Sequence, residues 1–224
     1  MPQFALTERR ALAQTLRRVG PDAQTLCGEW TAAQLAAHLV LRERSVVEGI
    51  GRLPVAALQR RAERVVDELA ARAAYPELVD TFERGPSWRE VEGPVPVAWL
   101  WALPPVNELA NLLEYLIHHE DVRRAQPEWR PRALPPDVQR TVWRRLRLVS
   151  RVTLRHVPVG LVLRWPGHGE LATRRARTGG SRVTVTGDAL ELALVAFGRL
   201  PQAQVAWDGS DDDVAAVRSA DISF

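Results

Sequence analysis

The chain has 224 residues, 30 basic against 27 acidic side chains, and a formal net charge of +3. Every basic residue is arginine, which excludes a lysine Schiff base, a Walker-type phosphate lysine and a lysine general base. The single cysteine, Cys27, excludes an intramolecular disulfide and a multi-cysteine metal site. Nearly cancelling charges and 46% hydrophobic residues argue against a cationic, disordered nucleic-acid tail.

Leu12, Leu16 and Val19 recur at helical spacing and predict a first helix over Thr7–Val19. A second starts at Thr31, which can cap it with Gln34 at the third helical position, and runs to about Val47. Polar helices are expected near Val55–Ala74 and Pro76–Arg84. Pro86, Pro94, Pro96, Pro104 and Pro105 then alternate with Trp88, Trp99 and Trp101, which reads as a long irregular connection acting as a lid. A helix over Val106–Arg124 carries Leu109, Leu112, Leu113, Leu116 and Ile117 as one broad apolar face. Another begins near Pro135–Pro136 and buries Val138, Val142, Leu146, Val149 and Thr153.

After Val157 the period changes. Gly160–Trp165, Leu171–Arg177 and Arg182–Thr186 read as strands between glycine-rich turns. An Asp188-x-x-Glu191 capping box opens a helix, and a strand near Gln204–Trp207 and a helix near Asp211–Ser219 follow. The expected fold is mainly α: a four-helix bundle over residues 1–157, then a small α+β domain over residues 158–224. No run approaches the roughly 18 apolar residues of a membrane span, and the opening stretch lacks the apolar core of a signal peptide. A cytoplasmic protein is expected.

Glu114 and His118 lie four apart, on one face of their helix and amid leucines. His38 sits on the apolar side of the second helix. If the two helices are neighbours, these three residues converge as two imidazoles and a carboxylate, a catalytic-type zinc set with one position open. Spacing alone equally allows a satisfied core histidine and a Glu114–arginine pair. His119 and Glu120 read as solvated, Glu43 and Glu48 as surface acids, and Cys27 as a packing residue. Asp121 follows His118 by three residues, where it can orient that ring from behind or pair with Arg123 or Arg124. Arg42, one turn beyond His38, is a candidate anion contact, as are Arg182 and Arg199 in the C-terminal part.

The run from Cys27 to Leu39 (CGEWTAAQLAAHL) and that from Asn111 to Asp121 (NLLEYLIHHED) resemble the two signatures of the mycothiol-dependent maleylpyruvate isomerase family. That family belongs to the wider DinB-like metal-binding bundles, and the resemblance is nearest to an actinobacterial branch known as metal-binding proteins. It implies a divalent metal, zinc, on His38, Glu114 and His118, a DinB-like bundle, and a C-terminal α+β domain. It also implies mycothiol as the thiol partner, activated by the metal to attack an electrophilic substrate carbon, giving isomerisation or S-transfer. Gln34 stands where relatives often have aspartate. Two alternatives belong to other classes. One is a metal or ligand binder without turnover. The other is nucleic-acid binding through Arg140, Arg144, Arg147, Arg151 and Arg155, an arginine stripe on the fourth helix. No helix-turn-helix or aromatic-stacking motif accompanies the stripe, so nucleic acid is not the expected partner.

Overall fold

The computed structural model describes residues 3–44, 56–86, 104–174 and 180–222. The described chain is mainly helical with one small sheet, and it forms two compact units, Met1–Trp129 and Arg130–Phe224. The helix expected as the fourth of the bundle therefore falls in the second unit, with the sheet. The tryptophans of the expected lid and Glu48 lie outside the described residues.

The first unit holds α1 (Phe4–Val19), α2 (Ala32–Arg44), α3 (Ala56–Arg72), α4 (Tyr75–Arg84) and α5 (Pro104–Arg124). Helix α1 packs on α5 and α4, and α2 packs on α3 and α4. The start of α2 is the expected capping box. The Thr31 amide donates to Gln34 Oε1 at 2.9 Å, and the Gln34 amide reaches Thr31 Oγ1 at 3.5 Å. Gln34 also donates to Asp67 on α3 at 2.8 Å, so one residue caps α2 and ties it to its neighbour.

Helix α5 departs from the expected single apolar face. Every position from Asn111 to Val122 is buried. A helix enclosed on all sides must pair its polar side chains within the protein, because water is not there to do it. His119, expected as solvated, is buried: its Nδ1 meets Glu8 Oε1 at 2.7 Å and its Nε2 meets Thr15 Oγ1 at 2.9 Å, both on α1. Glu120 is buried too, accepting from Arg124 at 2.6 Å and Arg123 at 2.8 Å. Glu43 is likewise buried rather than superficial, bonded to Arg9 at 2.8 Å and to the Tyr115 hydroxyl.

The second unit holds α6 (Pro136–Thr153), β1 (Gly160–Trp165), β2 (Gly169–Arg174), β3 (Arg182–Thr186), α7 (Ala189–Ala196), β4 (Ala206–Asp208) and α8 (Asp211–Arg218). The sheet order is β2-β1-β3-β4, with β1 parallel to β3 and the other pairs antiparallel. Helix α6 packs on α7 and β2, and α8 packs on β3. Helix α7 is buried at every position, as its run of leucine, alanine and valine requires. Asp188 makes no side-chain cap there. Glu191, the expected partner in the box, accepts instead from the Gln204 amide at 2.8 Å, anchoring the approach to β4. The five stripe arginines are exposed, four on α6 and Arg155 two residues beyond its end, but Leu148 and Val152 are exposed between them, so the basic face is interrupted by apolar side chains. Among the described residues no helix is long and apolar enough to cross a membrane.

Candidate metal centre

Helices α2 and α5 bring His38, Glu114 and His118 together, with one ligand atom from each within a 4.8 Å span. Glu114 Oε1 is the focus. His118 Nε2 lies 3.1 Å from it and His38 Nε2 lies 3.5 Å from it. The i,i+4 step on α5 puts Glu114 and His118 one turn apart on the same face. The two imidazole rings meet edge-on at 5.4 Å between centroids, and Trp30 packs tilted against His38 at 5.2 Å.

Asp121 stands behind His118, as its spacing allowed. Its Oδ2 lies 3.0 Å from His118 Nδ1. Ionised carboxylates only accept, so oxygens at both ring nitrogens favour the protonated ring. Burial opposes that charge, but the Cys27 sulfur and the hydrogen bonds to Asp121, Cys27 and Glu114 outweigh it, and the His118 pKa stands well above its ordinary value. A cation replacing the Nε2 proton would meet the same field. Two imidazoles, a carboxylate and an orienting aspartate thus fit a divalent ion.

Arg42 faces this centre but is engaged within it. Its Nε lies 3.1 Å from Glu114 Oε1, and its Nη1 donates to Asn111 Oδ1 at 2.5 Å. Asn111, buried and one turn before Glu114, was not singled out by sequence, although its i−3 position on α5 marks the face. Arg182 and Arg199 belong to the other compact unit. Arg182 opens β3 exposed, and Arg199 donates to the Phe197 carbonyl at 2.5 Å.

Cys27, read from the sequence as a packing residue, is placed at the centre instead. It does not simply pack: its Sγ lies 3.0 Å from Asp121 Oδ2 and 3.4 Å from His118 Nδ1. The loop before α2 fixes it there. Leu26 donates its amide to the Asp121 carbonyl at 3.1 Å, the Cys27 amide donates to Thr25 Oγ1, and Thr25 Oγ1 donates to the Trp30 carbonyl. Gly28 turns the chain immediately afterwards with φ of 62°, a left-handed value that glycine adopts without strain.

No family model matches the chain, and no curated protein matches its sequence. Two crystal structures of the mycothiol-dependent maleylpyruvate isomerase share its fold. A histidine-to-alanine mutant of that enzyme superposes with a TM-score of 0.60, and a second structure with 0.56. Each is 16% identical, and each match covers 93% of this chain and 93% of the other. At that identity the likeness establishes a common architecture, and the chemistry must be argued from the site.

Proposed function

We propose that the protein is a metal-dependent enzyme of thiol chemistry, an isomerase or S-transferase, built on a DinB-like helical bundle. In this reading His38, Glu114 and His118 hold a divalent ion, zinc, in the cytoplasm, and the thiol is mycothiol or a close chemical equivalent. The observation that carries the reading is the two-sided setting of His118. Its Nε2 shares Glu114 Oε1 with His38, while Asp121 takes its Nδ1. That is how a ligating histidine is oriented from behind. The fold shared with an enzyme that is mycothiol-dependent supports the thiol part.

Bound zinc would supply the lowered pKa of a coordinated thiol, so that thiolate is present near neutral pH. The chain's own residues do the rest. Asp121 keeps the proton on His118 Nδ1 and leaves Nε2 as the ligating nitrogen. Arg42 balances the charge of Glu114 and is, among the described residues, an arginine at the centre that can meet a carboxylate on thiol or substrate. Trp30 packs against the His38 ring and helps to fix its orientation.

Metal content of the purified wild type is measured beside His38→Ala and Glu114→Ala. Loss of the metal in both variants is expected, and equal occupancy in all three overturns the site. Zinc-dependent consumption of mycothiol against a panel of electrophiles, maleylpyruvate included, then decides between an enzyme and a passive binder. No turnover across the panel removes the enzymatic reading.

A further inference from the structure

We infer that Cys27, His118 and Asp121 form a second metal-ligand set, back to back with the first across the His118 ring, and that it takes a thiophilic divalent ion. The set uses His118 through Nδ1, whereas the proposed zinc centre uses Nε2. It does not depend on His38 or Glu114.

Three different donors converge: a sulfur, a ring nitrogen and a carboxylate oxygen, all within 4.8 Å of one another. Their separations are 3.0 Å for Cys27–Asp121, 3.0 Å for His118–Asp121 and 3.4 Å for Cys27–His118. Bonds of about 2.0–2.3 Å at tetrahedral angles place neighbouring donors about 3.3–3.6 Å apart. The observed triangle therefore needs to open by only a few tenths of an ångström. The sulfur sits on a loop whose backbone is bonded to the Asp121 carbonyl, and the other two donors sit one helical step apart on α5, so the set is held by the fold before any ion arrives.

Exposure and chemistry give the set a direction and a preference. His118 and Asp121 are buried, while Cys27 is partly exposed, so the open side lies at the sulfur. A thiolate beside an imidazole favours softer ions than a carboxylate-centred site does, and among divalent ions cadmium is the sharpest probe of that preference. Filling this side would take Asp121 away from its role behind His118, so ions at the two faces compete or are coupled through one ring.

The experiment is a cadmium titration of the metal-free full-length chain, read by the ultraviolet cadmium–thiolate band. The chain has one cysteine, so any such band belongs to Cys27. The expected result is a band that saturates at one ion per chain. It should persist in His38→Ala and Glu114→Ala, vanish in Cys27→Ser, and need a clearly higher cadmium concentration to saturate in Asp121→Asn, which loses a charged donor. Circular dichroism checks that each variant is folded. The inference is overturned if the wild type shows no band at saturating cadmium. It is also overturned if saturation needs only one ion per two chains, or if Asp121→Asn binds as tightly as wild type. Failure of the proposed zinc centre looks different: metal content is then unchanged by His38→Ala and Glu114→Ala, whatever the thiolate band does.

Discussion

Replacing Arg9 by methionine tests whether the interior of the first unit is organised by charge. Arg9 joins three elements: it donates to Glu43 on α2 at 2.8 Å, to the Tyr115 hydroxyl on α5 at 2.5 Å, and to the Phe82 carbonyl of α4 at 3.4 Å. Its guanidinium also lies over the Tyr115 and Phe82 rings at 5.2 and 5.6 Å. The side chains of Arg9 and Glu43 are 5% and 2% exposed, so water cannot replace the lost partner. Stranding a buried carboxylate in this way costs about 3–5 kcal/mol. Arg17 on the same helix is the control. It pairs with Asp80 and Glu83 at the surface, where such a pair is worth about 0–1 kcal/mol. With a urea slope of about 2–3 kcal/mol per molar, Arg9→Met should lower the unfolding midpoint by about 1–2 M and Arg17→Met should barely move it. Burial already holds the Glu43 pKa above the usual carboxylate value against the pull of Arg9. The Arg9→Met deficit should therefore shrink toward acid pH, where Glu43 can take a proton. Arg9→Met/Glu43→Leu should recover much of the loss. A cost for Arg9→Met no larger than for Arg17→Met, or a double variant no more stable than the single, would refute the reasoning.

Asp121→Asn should weaken zinc binding by about 10–100-fold, measured by competition with a chromophoric chelator; an unchanged affinity would remove Asp121 from the centre. Both tyrosines of the chain should fail to ionise near pH 10 in the folded protein, since burial raises Tyr75 to about 12 and lifts Tyr115 well above its ordinary value beside Glu43. The fold favours the neutral phenols, so the stability they confer is intact below pH 10 and is lost as pH climbs through the folded values. Phenolate absorbance of native chain against urea-unfolded chain reads this directly, and a native step at pH 10 would contradict it. Gly85→Ala should destabilise by at least about 2 kcal/mol, because Gly85 has φ of 74° and a Cβ there would overlap the Arg9 guanidinium. Thermal unfolding measures it, and an unshifted midpoint would be inconsistent with that close approach.

The helices and strands were legible because periodicity and end signals are local. Thr31 and Gln34 announce α2, Pro135 and Pro136 announce α6, and the change from period 3.6 to period 2 announces the sheet. The Glu114–His118 pair was legible for the same reason, being one turn of one helix. What stayed hidden depends on partners far along the chain. Glu8 and His119, or Arg9 and Glu43, share a helical face with leucines, but they are residue types ordinarily found in water, and only the packing of α1 against α5, or across to α2, supplies the partners that hold them inward. Cys27 was misread because its position comes from a backbone bond between Leu26 and Asp121, which no side-chain pattern records. The grouping of α6 was equally invisible. Its apolar stripe fits a bundle or a sheet alike, and only α7 and β2 decide which it covers.

The burial of α5 on every side from Asn111 to Val122 has a consequence for how the protein can change. An ordinary surface helix accepts substitution on one flank and resists it on the other, so tolerance rises and falls with the helical turn. Here a saturation scan over these positions should show no such rhythm. Intolerance should run as an unbroken block, with the hydrocarbon positions refusing polar replacements and the polar positions refusing hydrocarbon ones. Drift in specificity would then have to enter through the elements around α5.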